Sequence, residues 1–138
     1  MQTLNPPGWP RPKGYSNGIA ARGRIVFVAG QVGWNADERF TSNRLVDQAR
    51  QALTNIVAIL REGGAGPEHL VRMTWYVLDK SEYLKSGREL GEVYRAVIGR
   101  HYPAMSAVEV KGLVEEGALL EIEATAVIPE SDSEPRPR

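Results

Sequence analysis

The stretch LEIEATAVI (120–128) alternates apolar and polar side chains and predicts the strand around which the chain folds. Apolar residues stand at positions 120, 122, 124 and 126, so they share one face of an extended strand. Glu121, Glu123 and Thr125 then point to the opposite face. If helices cover the apolar face, both carboxylates lie on the face that points away from the helices.

Other strands are predicted on either side of this one in sequence. Residues 105–111 form a strand-like stretch, which the turn-like EEG at 115–117 separates from the last strand. Upstream, VRMTWYVL (71–78) is a strand with two largely apolar faces. One face carries Val71, Met73, Trp75 and Val77, and the other carries Arg72, Thr74, Tyr76 and Leu78.

The first strands are expected to form a hairpin. Tyr15 to Arg22 and Arg24 to Gly30 flank Gly23, and the second of these runs is rich in β-branched and aromatic residues. A tight turn between two such runs is typical of an antiparallel pair.

Two helices are predicted between the strands. In residues 43–64 apolar side chains recur at three- and four-residue steps until Gly63-Gly64 ends the helix. Asp79 or Ser81 can cap a second helix. Its apolar stripe consists of Leu90, Tyr94, Val97 and Ile98, and Pro103 closes the region.

The predicted order is ββαβαββ, an α+β fold with a mixed sheet and two helices on one face. Two helices cannot cover both sides of a sheet, and the second side would carry either Tyr76 and Leu78 or Met73 and Trp75. Both sets are too apolar for water, and exposed patches of that kind mark interfaces. We therefore expect a homo-oligomer that buries this face, with ligand clefts at the subunit boundaries.

Composition limits the possible partners and surroundings. Seventeen Lys and Arg balance seventeen Asp and Glu, so no basic excess exists to attract nucleic acid. The chain has no cysteine, which removes disulfides and thiolate chemistry and suits a reducing cytoplasm. The first residues lack an apolar signal region, and no run approaches the roughly 20 apolar residues of a membrane span. We expect a soluble, cytoplasmic protein without nucleic-acid or membrane partners.

The chain is expected to contain one domain, at 15–128, with irregular ends. Residues 1–14 form a proline-rich lead-in segment, in which NPPGWPRPKG (5–14) lacks most of the amide donors that a ladder needs. The tail 129–138 is charged and rich in proline, and we expect it to be disordered.

Motifs for metal, nucleotide or serine chemistry are weak. His69 and His101 have no acidic or cysteine companion at metal-ligand spacing, which favours ordinary surface or loop histidines. GGAG (63–66) follows a helix and lacks a Lys-Ser/Thr pair, so it is a helix stop. No G-x-S-x-G elbow exists. We expect neither a metal nor a cofactor.

Glu121 is a stronger candidate because it faces the expected interface. Partial burial there would favour the neutral carboxyl and tune the side chain for proton transfer. The alternative is that Glu121 and Glu123 pair with Arg or Lys of a neighbour. The residues alone leave both interpretations open.

Five ordered stretches resemble the Rid family, the reactive intermediate deaminases also called YjgF-type proteins. They are GYSNGI (14–19), VFVAGQVGW (26–34), the long run 48–79, YPAMSAVEV (102–110) and LEIEATAVI (120–128). The resemblance implies a chorismate-mutase-like fold, a homotrimer with ligand clefts between subunits, and no cofactor. It also implies hydrolysis of an amino-acid-derived enamine or imine to a carbonyl compound and ammonia. A ribonuclease-like role of some relatives is disfavoured by the zero net charge.

The resemblance also implies site residues. Tyr15 matches the tyrosine of the family's G-P-Y motif, although this chain lacks the proline. Ala29-Gly30-Gln31 matches S-G-Q, which loses a hydroxyl but keeps the glycine that lines the cleft. Glu121 matches the catalytic glutamate of E-I-E-A.

Met105 stands where the family motif P-A-R has an arginine that grips the substrate carboxylate. An arginine donates two hydrogen bonds in a planar fork, whereas a thioether offers only soft apolar contact. Losing a charge-assisted bond of about 1.5–3 kcal/mol would weaken carboxylate capture by roughly ten- to over a hundredfold.

Two interpretations follow from this departure. In the first, the protein is an imine or enamine hydrolase with an altered substrate, which is less anionic or held by another cation, and Met105, Trp34 and Tyr15 form an apolar wall. In the second, the cleft binds a small metabolite without turnover, as a sensor or accessory subunit.

Overall fold

The computed structural model describes residues 1–130, and the predicted tail lies outside them from residue 131 onward. A four-stranded sheet carries helices on one face. The elements are β1 (Gln2–Leu4), β2 (Gly18–Ala20), β3 (Arg24–Val32), α1 (Leu45–Glu62), a 3₁₀ turn (Pro67–His69), β4 (Leu70–Val77), α2 (Lys80–Lys85), α3 (Gly87–Val97), β5 (Ala104–Glu109) and β6 (Leu120–Ile128).

The sheet has the strand order β3-β6-β4-β5. β6 runs antiparallel to both β3 and β4, whereas β4 and β5 are parallel and are joined by the crossover through α2 and α3. The predicted mixed sheet of an α+β fold is therefore confirmed. The stretch 120–128 is an inner strand of this sheet, between β3 and β4.

The predicted hairpin between the second and third strands is wrong. β2 pairs with β1, in a register from Gln2↔Ala20 to Leu4↔Gly18. The cause lies just before β2, where the Ser16 N–H donates a hydrogen bond to the carbonyl of Pro103, the residue directly before β5. β5 and β3 form opposite edges of the sheet, so this anchor holds β2 away from β3. The expectation of a wholly irregular segment 1–14 is corrected as well, since it contains β1.

The second predicted helix is divided into α2 and α3 at Ser86. Asp79 caps α2 as one of the two predicted candidates, because its side chain accepts a hydrogen bond from the Glu82 amide at 3.1 Å. α1 ends at Glu62, directly before the predicted glycine stop.

The hydrophobic core lies between the helices and one face of the sheet. Met73, Trp75 and Val77 point toward the helices, which settles the choice that the sequence left open for β4. The same core contains the apolar positions of β6 and the apolar stripes of α1 and α3. β6 alternates between buried and half-buried residues from Leu120 to Thr125, so Glu121, Glu123 and Thr125 face away from the helices as predicted.

One buried polar side chain ties three segments together. Gln48 of α1 is 1% exposed, and its amide nitrogen donates to the carbonyls of Ser42 and Gly117 at 2.9 and 3.0 Å. Its amide oxygen accepts from the Leu119 N–H at 2.8 Å. Gly33 packs so closely against Gln48 that an added Cβ would lie 2.5 Å from the Gln48 backbone. These contacts fix the end of β3 and the start of β6.

Across residues 1–130, no helix combines the length and the apolar character needed to cross a membrane.

Candidate functional site

The sheet face without helices, called the open face below, carries charged and apolar groups together. Glu121 and Glu123 project from β6, and Arg72 and Tyr76 from β4. At the edges of the sheet, large apolar side chains remain exposed to solvent, and Phe27 of β3 is 77% exposed. This set comprises Ile25, Phe27 and Val108. Exposed apolar side chains beside half-buried carboxylates are the arrangement expected of an interface that encloses a polar site.

Glu121 is held against the backbone of β3. The register between β3 and β6 shifts between Val28 and Gln31, which leaves Ala29 and Gly30 in an irregular stretch of the strand. A Cβ on Gly30 would overlap the Glu121 carboxylate, so this close approach requires glycine. Gln31 donates to the Ala29 carbonyl at 3.1 Å. The predicted residues Glu121, Ala29, Gly30 and Gln31 thus lie close together.

Glu123 has a partner on the same face. The Tyr76 hydroxyl donates to the Glu123 carboxylate at 2.5 Å. This bond, with smaller contributions from desolvation and from the nearby carboxylate charges, raises the pKa of Tyr76 above its ordinary value. Tyr76 therefore stays protonated at neutral pH and acts as a fixed donor to Glu123.

Tyr15 and Met105 meet at the other side of the sheet, in a cavity of about 530 Å³. Met105 is paired with Met73 in register and packs against the core under the helices. Tyr15 is fixed beside it by Ser16, whose amide donates to the Pro103 carbonyl at 3.0 Å and whose hydroxyl donates to the Tyr102 carbonyl at 2.5 Å. The motifs around Tyr15 and Met105 are thus joined directly.

Aromatic side chains form much of this cavity, which is called the aromatic cavity below. Tyr94 and Tyr102 stack with their ring centroids 5.3 Å apart, and Trp75 meets Tyr83 edge to face at 6.2 Å. Burial raises the pKa of Tyr83 and Tyr94, so both stay neutral in this setting. The walls suit an apolar or aromatic body.

Trp34 lies apart from Tyr15 and Met105 in the single chain. Its ring contacts Phe40 at 5.7 Å, and its carbonyl accepts a hydrogen bond from Asn55 of α1 at 2.8 Å. It is not among the residues that line the aromatic cavity. The apolar wall expected from Met105, Trp34 and Tyr15 is therefore only partly assembled within one chain.

Glu121 and Met105 also lie apart, on opposite faces of the sheet. Met105 stands beside Met73, which faces the helices, while Glu121 stands beside Tyr76, which faces away from them. β4 separates their strands, a lateral distance of about 9–10 Å at the usual strand spacing. One chain therefore does not bring the predicted catalytic carboxylate and the predicted substrate-binding methionine together.

Two residues of these sites have roles that the sequence did not predict. No role was predicted for Ser16, yet its hydroxyl donates to the Tyr102 carbonyl and anchors Tyr15 near the start of β5. Tyr76 was assigned to a face but not to a partner. Tyr76 and Glu123 lie on the same face of neighbouring antiparallel strands. The pair could therefore have been predicted if the strand order had been known.

Comparison with known proteins agrees with this architecture. Residues 10–128 match the sequence family described as Endoribonuclease L-PSP. A RutC family protein of Pyrococcus horikoshii is 37% identical over 119 residues, which cover 85% of this chain and 90% of the relative. The human 2-iminobutanoate/2-iminopropanoate deaminase is 27% identical over 128 residues, which cover 92% and 88% of the two chains.

Solved structures show the same fold. The Rid family protein YyfB of Yersinia pestis, a protein of unknown function, has a TM-score of 0.81 at 31% identity, covering 92% of this chain and 98% of its own. A YjgF/YER057c/UK114 family member from Mycobacterium tuberculosis has a TM-score of 0.63 at 36% identity, covering 83% and 87%. The matched residues include both strands that carry Glu121 and Met105, and the chain belongs to the YjgF/Rid family.

Proposed function

We propose that this protein hydrolyses a reactive imine or enamine to a carbonyl compound and ammonia, with a substrate altered by Met105. The observation that carries the proposal is the placement of Glu121 against the Gly30 backbone on the open face. Relatives named 2-iminobutanoate/2-iminopropanoate deaminase support this reaction class. The reaction needs water and a proton carrier, and the proposal includes no metal or cofactor.

In the proposed reaction Glu121 moves protons. Its carboxylate accepts a proton from water as the water oxygen bonds to the imine carbon and the C=N double bond becomes single. The nitrogen takes up two protons, one returned by the Glu121 carboxyl and one lost by the hydroxyl as it becomes the carbonyl, and it leaves as ammonia. The sum is one imine and one water giving one carbonyl compound and one ammonia. A positioned general acid–base group contributes about 10²–10⁴-fold to such a reaction.

The proposal requires a second copy of the chain. Since Glu121 and Met105 lie on opposite faces of one sheet, a substrate that contacts both must sit between the open face of one subunit and the β5 edge of another. The exposed Phe27, Ile25 and Val108 supply the apolar surface for such an assembly. We propose a homotrimer, the assembly that the resemblance implies.

The second candidate is a trimer that binds a small metabolite without turning it over. Met105 favours this candidate, because it replaces the cation that would hold an imino acid in place. Nucleic-acid cleavage, which the family description names, is not proposed because the formal net charge is zero.

A measurement of turnover distinguishes the two candidate functions. The purified protein is supplied with 2-aminoacrylate or 2-iminobutyrate, made in situ from serine or threonine by a dehydratase, and with imines of larger amino acids made by an amino-acid oxidase. Faster release of the keto acid than in buffer, for at least one imine, supports the hydrolase. Rates equal to buffer for all of them, with a ligand still bound, support the binding protein.

A further inference from the structure

The aromatic cavity has two cationic side chains among its lining residues. Arg95 of α3 and Lys13 of the lead-in segment both line it. Among the salt bridges formed within residues 1–130, none involves either residue. The Arg95 guanidinium folds back over Gly91, with a nitrogen 3.3 Å from where a Gly91 Cβ would be. Two unpaired cations beside an apolar cavity favour an anionic ligand.

The side chain of Trp75 also lines the cavity. Trp75 is 4% exposed, and its indole nitrogen is the one buried side-chain polar atom in residues 1–130 that has no hydrogen-bond partner. Because this nitrogen is buried, a ligand in the cavity does not reach it, and Trp75 contributes the apolar surface of its ring to the wall.

The cavity is also large for a small acid. Its volume of about 530 Å³ falls within the range of pockets that enclose ligands of drug size. Gly87 and Gly91 of α3 line the cavity without side chains that would fill it. No heavy atom lies within 4 Å of a Cβ placed on Gly87. A three- or four-carbon acid would leave most of this aromatic surface without contacts.

We propose that the aromatic cavity binds a carboxylate with an aromatic or bulky apolar body, with Arg95 and Lys13 holding the carboxylate in place of the missing arginine at position 105. The body of the ligand packs among the tyrosines and the indole ring of Trp75. The inference rests on the proposed function in that it names the substrate class: 2-imino acids with bulky apolar side chains.

Three probes test the carboxylate and the apolar body of this ligand separately, and none of them requires turnover. They are 3-phenylpropionate, the neutral 3-phenylpropanamide and the small anion propionate, each titrated into the full chain by calorimetry. We expect 3-phenylpropionate to bind at least tenfold more tightly than either of the others. Equal affinity for the acid and the amide would overturn the role of the cations. Equal affinity for the two acids would overturn the role of the aromatic walls.

Charge variants identify the cation. Arg95→Gln should weaken 3-phenylpropionate at least tenfold and leave 3-phenylpropanamide unchanged, and Lys13→Gln should act in the same direction. Arg88→Gln is the matched control, since Arg88 lies on the same helix, is 93% exposed and pairs only with Glu92. Melting curves verify that each variant is folded. Equal loss in the Arg95 and Arg88 variants would mean that net charge, and not Arg95, attracts the acid.

Two further measurements locate the ligand. Gly87→Leu should fill the cavity and abolish binding, while Gly112→Leu, which also meets open space but lies outside the cavity, should not. In ¹⁵N NMR spectra, the indole N–H peak that Trp75→Phe removes should shift on addition of 3-phenylpropionate. Binding that survives Gly87→Leu without a shift of this peak would place the ligand elsewhere.

These experiments distinguish failure of the proposed ligand site from failure of the proposed hydrolase function. Binding that depends on Arg95 without hydrolysis of any imine would support the cavity and refute the hydrolase. Hydrolysis of imines that is unaffected by Arg95→Gln would support the hydrolase and refute the cavity as its anion site.

Discussion

The two faces of the sheet are built from the same strands but are completed in different ways. On the helix-covered face, α1 and α3 bury the apolar side chains, and Gln48 satisfies the neighbouring backbone groups. On the open face, Phe27 remains exposed, and within residues 1–130 the half-buried carboxylates have a hydrogen bond from one side chain, that of Tyr76. The chain thus buries one face of the sheet itself and leaves the other face partly exposed.

The largest expected effect tests the open face. Phe27→Lys places a charge in the proposed subunit contact, which should convert the trimer to monomers at micromolar concentration because a buried unpaired charge is costly. Multi-angle light scattering measures the mass. Val114→Lys is the control, since Val114 is 96% exposed on the loop before β6. A monomeric wild type would contradict the assembly itself.

The helix-covered face should respond through stability instead. Gln48→Leu leaves two backbone carbonyls and one N–H without their partner, which should lower the free energy of unfolding by about 2–4 kcal/mol. Urea unfolding followed by circular dichroism measures it. Gln51→Leu, on the same helix but bonded only to Asn55, should cost much less. Similar losses in both variants would remove the special role of Gln48.

Catalysis should depend on the open face without a change in folding. Glu121→Gln keeps the size of the side chain but removes the proton acceptor, so turnover should fall by about a hundredfold or more. The mass and the melting temperature should match those of the wild type, and Glu116→Gln on the exposed turn serves as the control. Unchanged turnover on an accepted imine would return Glu121 to a purely structural role.

A gain-of-function variant tests the face of the sheet that carries the aromatic cavity. Met105→Arg supplies the arginine that the resemblance implies at this position and should raise kcat/KM for 2-iminobutyrate at least tenfold, the effect of one charge-assisted bond. Met105→Leu should give no gain. Because Arg95 and Lys13 line the same cavity, melting curves must show that the added charge is tolerated. A stable trimer without gain would favour the metabolite-binding interpretation.

The smallest expected effect concerns the Tyr76–Glu123 pair. Since the bond to Glu123 is the main cause of the raised pKa of Tyr76, Glu123→Gln should lower that pKa toward its ordinary value. Ultraviolet absorbance titration, with Tyr76→Phe identifying the signal, measures the change. In the wild type, Tyr76 favours folding below the pH at which an unfolded tyrosine ionises, and this contribution is lost as the pH rises through the folded pKa. No change in the variant would mean that burial, not the bond, sets the pKa.

Local patterns predicted much of the fold because they report on single elements. The alternation in 120–128 placed the carboxylates on the open face, the apolar steps in 43–64 placed α1, and Asp79 was one of two predicted caps. Pairing between distant segments was not predictable in this way. The hairpin prediction failed because a bond from Ser16 to Pro103, 87 positions along the chain, holds the segment before β2 near β5, at the edge of the sheet opposite β3.

The sequence by itself determined which residues share a strand face, because side-chain direction follows from backbone periodicity alone. The sequence also showed that position 105 lacks a cationic side chain, and it contained the motifs that indicate the family. Only the tertiary structure decided which strands are neighbours, and hence that Glu121 and Met105 lie on opposite faces and that Arg95 and Trp75 join Met105 in one cavity. The physical reason is that these relations depend on long-range packing and hydrogen bonds, which no short stretch of sequence contains.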